Sequence, residues 1–266
     1  MANDELDPSG PVHDRALLLH GPRRARVLTL EEIQRYGRDS FGDPDYVSIY
    51  GMPPREWYAR GVRLLGRTAV ECTRDVLADA IGRDLAAVVE RLSPVPGVLV
   101  IDLFAGSCNT LSWILHHLRS SEGLAFELDP GVFALSRDNL AILGSPVRLL
   151  EGDYLELLEK QPPSERGLLF FVAPPWGTAL DERAGLDLRR TQPPVPEIID
   201  HLCLRHPGRP MLFAVQVYEK LEPASLAEVE ARLDWATFRV YGFNAPGRNH
   251  GLLLGARGWA ERPGSQ

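Results

Sequence analysis

The chain has 266 residues, 44% apolar and 24% charged, which excludes a disordered or collagen-like polymer and fits a globular protein with a buried core. Its net charge of −7, with no run of five basic positions and a densest basic point at Arg23-Arg24-Ala25-Arg26, argues against extended nucleic-acid binding. Cys72, Cys108 and Cys203 are widely spaced and form neither a metal motif nor a disulfide frame; with no signal-peptide pattern and no apolar run near the roughly 18 residues of a membrane span, a cytoplasmic protein is expected.

Residues 1–28 are polar, contain Pro8, Pro11 and Pro22, and read as a flexible segment. A short helix is predicted over 30–42, with Thr29 as N-cap, Glu31 and Glu32 in its first turn and Gly42 beyond its end. Residues 43–54 form an aromatic-rich loop. Residues 55–92 read as mainly helical, with breaks near Gly66 and Gly82. Residues 29–93 together are expected to form a helical extension. Its Tyr46, Tyr50, Trp57 and Tyr58 suit either an aromatic lid over a substrate or a small apolar subdomain. Ser93-Pro94-Val95-Pro96-Gly97 marks the start of a core domain over 94–266.

Within that domain strands and helices alternate. Strands are predicted at 98–102, 123–129, 147–151, 167–172 and 210–217, with helices at 110–119, 130–143, 195–205 and 223–232. Two final strands, 235–243 and 250–256, flank a loop suited to a hairpin. The expected fold is α/β: a doubly wound, mostly parallel seven-stranded sheet of Rossmann-like type with an N-terminal helical extension.

Candidate chemistry gathers at the carboxyl ends of these strands, where open α/β sheets bind ligands. The first strand ends at Asp102 and runs into a small-residue turn, Ala105 to Asn109, before a helix whose free N–H groups face outward. Glu127 ends the second strand, 25 positions after Asp102, where a carboxylate accepts both hydroxyls of a ribose. Asp153 follows the third strand, placed to take a hydrogen bond from an adenine amino group. Ala173-Pro174-Pro175-Trp176-Gly177 follows the fourth. The two prolines fix φ and remove two N–H donors, leaving backbone carbonyls near Ala173 and Pro174 to accept from an amino group, while Trp176 stacks on a flat ring. Tyr218, after the fifth strand, lies at the same edge and is a candidate substrate contact, and Asn244, Arg248, Asn249 and His250 lie in the terminal hairpin loop. No cluster of His, Cys and acids has metal-site spacing, and no phosphate loop or Gly-x-Ser-x-Gly motif is present.

The Asp-x-Phe-x-Gly turn of Asp102, Phe104 and Gly106, the Glu-Leu-Asp-Pro of 127–130 and the Pro-Pro-Trp of 174–176 resemble class I S-adenosylmethionine-dependent methyltransferases. Within that class, Asp-Leu-Phe-Ala-Gly-Ser-Cys-Asn-Thr and Ala-Pro-Pro-Trp-Gly look like the RNA cap guanine-N2 methyltransferase (trimethylguanosine synthase) family and its bacterial relatives. The resemblance covers about residues 70–256. It implies S-adenosylmethionine as cofactor. Asp102, Phe104, Ala105 and Gly106, with Asn109 and Thr110, would hold its methionine end and backbone. Glu127 would hold the ribose, and Asp153 and Tyr154 would border the adenine. Thr73 matches a threonine that family uses before its first core strand. Ala173, Pro174, Pro175 and Trp176 would be catalytic, with Trp176, Tyr218, Tyr50 and Trp57 on the substrate side.

The chain departs from the family pattern at three points. Ala173 stands where amino-methylating relatives carry Asn, Asp or Ser; the glycine turn is one residue short; and Cys108 occupies a position where glycine is common. At Ala173 only backbone acceptors remain, which removes a side-chain argument for nitrogen, and the acidic balance and scarcity of lysine do not fit a broad RNA groove. The family's reaction type therefore transfers better than its capped-RNA substrate, and the expected reaction is N-methylation of a small planar heteroaromatic or nucleobase-like acceptor. RNA methylation of the guanine-N2 type and a non-catalytic cofactor-binding scaffold are the alternatives. A nucleotide-dependent oxidoreductase needs more glycine in the first turn than this chain has.

Overall fold

The computed structural model describes residues 15–92, 97–119, 121–162, 166–244 and 249–259. The proline-rich stop at 93–96 and Arg248 lie outside them, as does the expected flexible segment up to residue 14. From residue 15 that segment is built into the fold. It opens with α1 (Arg15–Leu19), whose Leu18 is buried, and Leu28 N–H then donates to Leu64 O at 3.0 Å.

The extension continues as α2 (Leu30–Phe41), α3 (Pro54–Ala59), α4 (Gly66–Glu71) and α5 (Asp75–Leu92). Helix α2 starts as expected, on a capping box: Glu32 N–H donates to Thr29 Oγ1, and Thr29 N–H to Glu32 Oε2 at 2.9 Å. The expected break at Gly82 is absent, and α5 runs through it. A Cβ at Gly82 would lie 2.8 Å from Trp113 O, so this glycine permits close packing of a neighbouring helix.

The core then follows as β1 (Val98–Asp102), α6 (Asn109–His117), β2 (Glu122–Glu127), α7 (Pro130–Leu143), β3 (Arg148–Glu151), α8 (Tyr154–Glu159) and β4 (Gly167–Val172). A small hairpin, β5 (Leu180–Asp181) and β6 (Gly185–Leu186), comes next; it had no sequence signal. The chain ends with α9 (Val195–Arg205), β7 (Met211–Tyr218), α10 (Pro223–Glu230), β8 (Trp235–Tyr241) and β9 (His250–Arg257).

The main sheet has seven strands in the order β3-β2-β1-β4-β7-β9-β8, parallel except for β9, which runs antiparallel to both neighbours. One face packs against Ile81 and Leu85 of α5 and Leu111 and Ile114 of α6. The other packs against Leu158 of α8 and Ile198, Ile199 and Leu202 of α9. Burial on both faces explains the apolar runs Val98–Ile101 in β1, Leu168–Val172 in β4 and Met211–Val215 in β7. The strand order reverses between β1 and β4, and the crevice at their carboxyl ends is where such a sheet accepts a ligand.

Candidate active site

A cavity of about 1210 Å3 opens at this crevice. Its floor is the turn after β1. Ala105 N–H donates to Phe126 O at 2.9 Å, stitching the turn to β2, and Ser136 Oγ donates to Gly106 O at 2.6 Å from α7. Gly106 has φ +50°, in the left-handed region that glycine adopts without strain. A Cβ there would meet nothing within 4 Å, because the residue faces the open cavity.

Two carboxylates line the cavity. Asp102 is 2% exposed and receives Phe104 N–H at 3.1 Å. Burial pushes its pKa up to about 7, and the charge of Glu127 adds to this. Glu127 accepts Gly106 N–H on Oε2 at 2.9 Å and Asp129 N–H on Oε1 at 2.8 Å, tying the glycine turn to the end of β2. Burial raises its pKa as well, opposed by those bonds and by the Arg67 guanidinium. Arg67, from α4, reaches Asp129 Oδ2 at 2.9 Å and borders the cavity. Nothing in the sequence pointed to Arg67.

Phe104 and Tyr154 meet edge to face, 5.4 Å between ring centres, and both border the cavity with Ala105 and Thr110. Asp153 also lines it while capping α8 through Leu155 N–H at 2.9 Å. Thr73 lines it from the extension.

The Ala173–Trp176 segment, after the neighbouring strand β4, also lines the cavity. Pro174 is buried, Pro175 exposed and Trp176 half-buried. The Trp176 ring lies 5.2 Å from that of His250 and 6.3 Å from that of Tyr218.

Asn109 lines the cavity, yet its side chain turns to other work. Oδ1 accepts Tyr50 N–H at 2.7 Å, and Nδ2 donates to Thr73 O at 2.7 Å and Asp75 Oδ1 at 3.1 Å.

Of the two alternatives for the extension's aromatics, the structure shows the small apolar subdomain and not the lid, so Tyr50 and Trp57 are not placed as substrate contacts. Trp57 is fully buried in the extension's own core, its Nε1–H donating to Val47 O at 3.0 Å. Tyr50 donates its hydroxyl to Ser107 O and braces the turn from behind. Tyr46 stacks on Phe41, and Tyr58 lies under the Arg63 guanidinium. Neither Trp57 nor Tyr50 borders the cavity. Tyr218 does not border it either, and packs behind Trp176. The roof comes instead from α1 and the segment after it, through Arg15, Leu19, His20 and Arg24.

Cys108 is buried away from the cavity with φ +59°, the backbone region that explains why glycine suits this position. Burial, then the charges of Asp102 and Glu127, raise its thiol pKa, which makes it unreactive packing.

No protein-family model matches the sequence, and no curated protein matches it. Among solved structures, the chain is similar to the N-terminal domain of human METTL16 in complex with SAH, at 14% identity and TM-score 0.54, covering 98% of this chain and 99% of that one. A second crystal form of the METTL16 MTase domain matches at 16% identity and TM-score 0.53, covering 98% and 97%. Precorrin-6y C5,15-methyltransferase from Geobacter metallireducens matches at 16% identity and TM-score 0.46, over 70% of this chain and 90% of that one.

The fold is that of the class I methyltransferases. In this chain the glycine turn, the acid ending β2 and the Pro-Pro-Trp segment follow the adjacent strands β1, β2 and β4 and line one cavity. Among the described residues no group of His, Cys, Asp and Glu is arranged to hold a metal ion, and no helix is long and apolar enough to cross a membrane.

The residues present fit S-adenosylmethionine. Asp102 is a buried carboxylate that forms no ion pair among the described residues, suited to an ammonium group. Each Glu127 oxygen has a lone pair left after its backbone bond, suited to a pair of hydroxyls.

Proposed function

We propose that this protein is an S-adenosylmethionine-dependent methyltransferase that N-methylates a planar heteroaromatic or nucleobase-like acceptor. The observation that carries this reading is that buried Asp102 and half-buried Glu127, at the ends of β1 and β2, line the same cavity as Pro174-Pro175-Trp176.

When bound, S-adenosylmethionine supplies a methyl group already activated on a sulfonium. Asp102 and the backbone of the 105–110 turn hold the methionine end, with Thr110 beside them. Glu127 takes the ribose hydroxyls. Asp153, Tyr154 and Phe104 border the adenine. Trp176 stacks on the acceptor ring, and the carbonyls of Ala173 and Pro174 accept hydrogen bonds from its amino group, aiming the nitrogen lone pair. The residues act mainly by positioning, an effect worth on the order of 7–11 kcal/mol in well-oriented systems. The likeness of the glycine-turn and Pro-Pro-Trp-Gly motifs to the cap guanine-N2 family supports nitrogen as the attacking atom. The extension, residues 29–93, serves as a brace for the turn, with α1 as the roof.

A second reading, an RNA acceptor, draws on Arg15, His20 and Arg24 in the lining of the cavity. An RNA affinity that falls steeply with salt, with a slope of several displaced counterions, would favour it.

Calorimetry tests the main reading. S-adenosylmethionine is expected to bind and NAD not to; preference for NAD overturns it. Conversion of the cofactor to S-adenosylhomocysteine with a heteroaromatic amine dismisses a non-catalytic scaffold.

A further inference from the structure

His250 opens β9, beside Trp176 and opposite Tyr218 in the β7–β9 register. It borders the cavity, and a chain of side chains fixes its ring. Thr73 Oγ1 donates to Gln216 Oε1 at 2.9 Å, which turns the amide so that Gln216 Nε2 faces His250 Nδ1 at 3.1 Å. Gln216 itself is buried. An amide nitrogen only donates, so Nδ1 accepts, and the imidazole proton sits on Nε2. Nε2 makes no hydrogen bond among the described residues. The ring is held neutral: burial, then the charges of Arg15 and Arg74, lower its pKa to about 4. The side wall beside Trp176 therefore presents a fixed N–H.

We propose that His250 Nε2–H donates a hydrogen bond to a ring nitrogen of the acceptor stacked on Trp176, selecting heteroaromatic rings with such an atom over rings that lack it. This rests on the methyltransferase reading of the same cavity. It also answers the departure at Ala173: with no side-chain acceptor before the prolines, the polar handle that orients the ring comes from strand β9, beside Trp176. A site built to hydrogen-bond a ring atom rejects the analogue lacking it, because the donor is then left unpaired.

The test uses protein saturated with S-adenosylhomocysteine and measures binding of adenosine, guanosine and their deaza analogues, in each of which one ring nitrogen is replaced by CH. At least one parent nucleoside is expected to bind, with one of its deaza analogues tenfold weaker or more. His250→Phe should bind that pair equally and keep its S-adenosylhomocysteine affinity. Gln216→Leu, which frees the imidazole to take either tautomer, should lose part of the discrimination. Equal binding of all analogues to the unaltered protein overturns the inference, as does discrimination that survives in His250→Phe. Failure of every nucleoside to bind while S-adenosylhomocysteine does overturns it and leaves the methyl-donor reading standing. Failure of S-adenosylhomocysteine to bind overturns that reading itself.

Discussion

Asn109 Oδ1 accepts the backbone N–H of Tyr50 at 2.7 Å, joining two residues 59 positions apart. With Nδ2 bound to Thr73 O and Asp75 Oδ1, one amide clamps the extension onto the glycine turn. Asn109→Ala leaves several buried polar groups unpaired, at about 1–3 kcal/mol for each one not rescued by water. A loss of about 2–4 kcal/mol in denaturant-induced unfolding is expected. Unchanged stability with lost cofactor affinity would return Asn109 to the cofactor contacts.

Asp102 gives the cofactor site a pH dependence. An ammonium group pairs with its ionised form only. Affinity should hold steady above about pH 7 and fall by up to tenfold per unit below it. Stability of the free protein goes the other way. The folded pKa is raised above the unfolded value, so this group's contribution is fully present below the unfolded pKa and is lost as pH rises toward 7. Asp102→Asn should flatten both profiles, read by calorimetry and by melting from pH 5 to 8. A cofactor affinity that does not change over that range removes Asp102 from the ammonium site.

Much of this was legible because parallel central strands write themselves as apolar runs. Gly167–Val172 matches its predicted bounds, and Asp102 and Glu127 end β1 and β2 as expected. What was not legible depended on partners distant in the chain. Gly82 reads as a helix breaker until Trp113 is found against it. Trp57 looks like a lid residue until the Val47 carbonyl takes its N–H. The five-residue α1 is too short to show a period, so the roof of the cavity was invisible. His250 carried no motif; only Gln216, on the neighbouring strand, gives its ring a direction.

Trp176 separates chemistry from cofactor binding. It lines the cavity from the segment after β4, its ring against His250. Trp176→Ala should lower kcat/KM for the acceptor at least tenfold and change S-adenosylhomocysteine affinity less than twofold, with Trp176→Phe intermediate. Equal losses in both would make Trp176 a packing residue for the segment.

Cys108 tests whether the turn's backbone or its side chain matters more. Its φ of +59° is costly for a side chain branched at Cβ, and the position is fully buried. Cys108→Val adds a branch to a strained residue in a packed core and is expected to cost about 1–3 kcal/mol. Cys108→Gly relieves the strain and loses a small buried group, two effects of similar size and opposite sign, so its stability should stay within about 1 kcal/mol of the parent. The thiol itself should resist alkylation in the folded protein, since burial holds it protonated. Thermal melts of the two variants rank the effects: a valine variant as stable as the parent would mean that the turn takes up another backbone conformation at no cost.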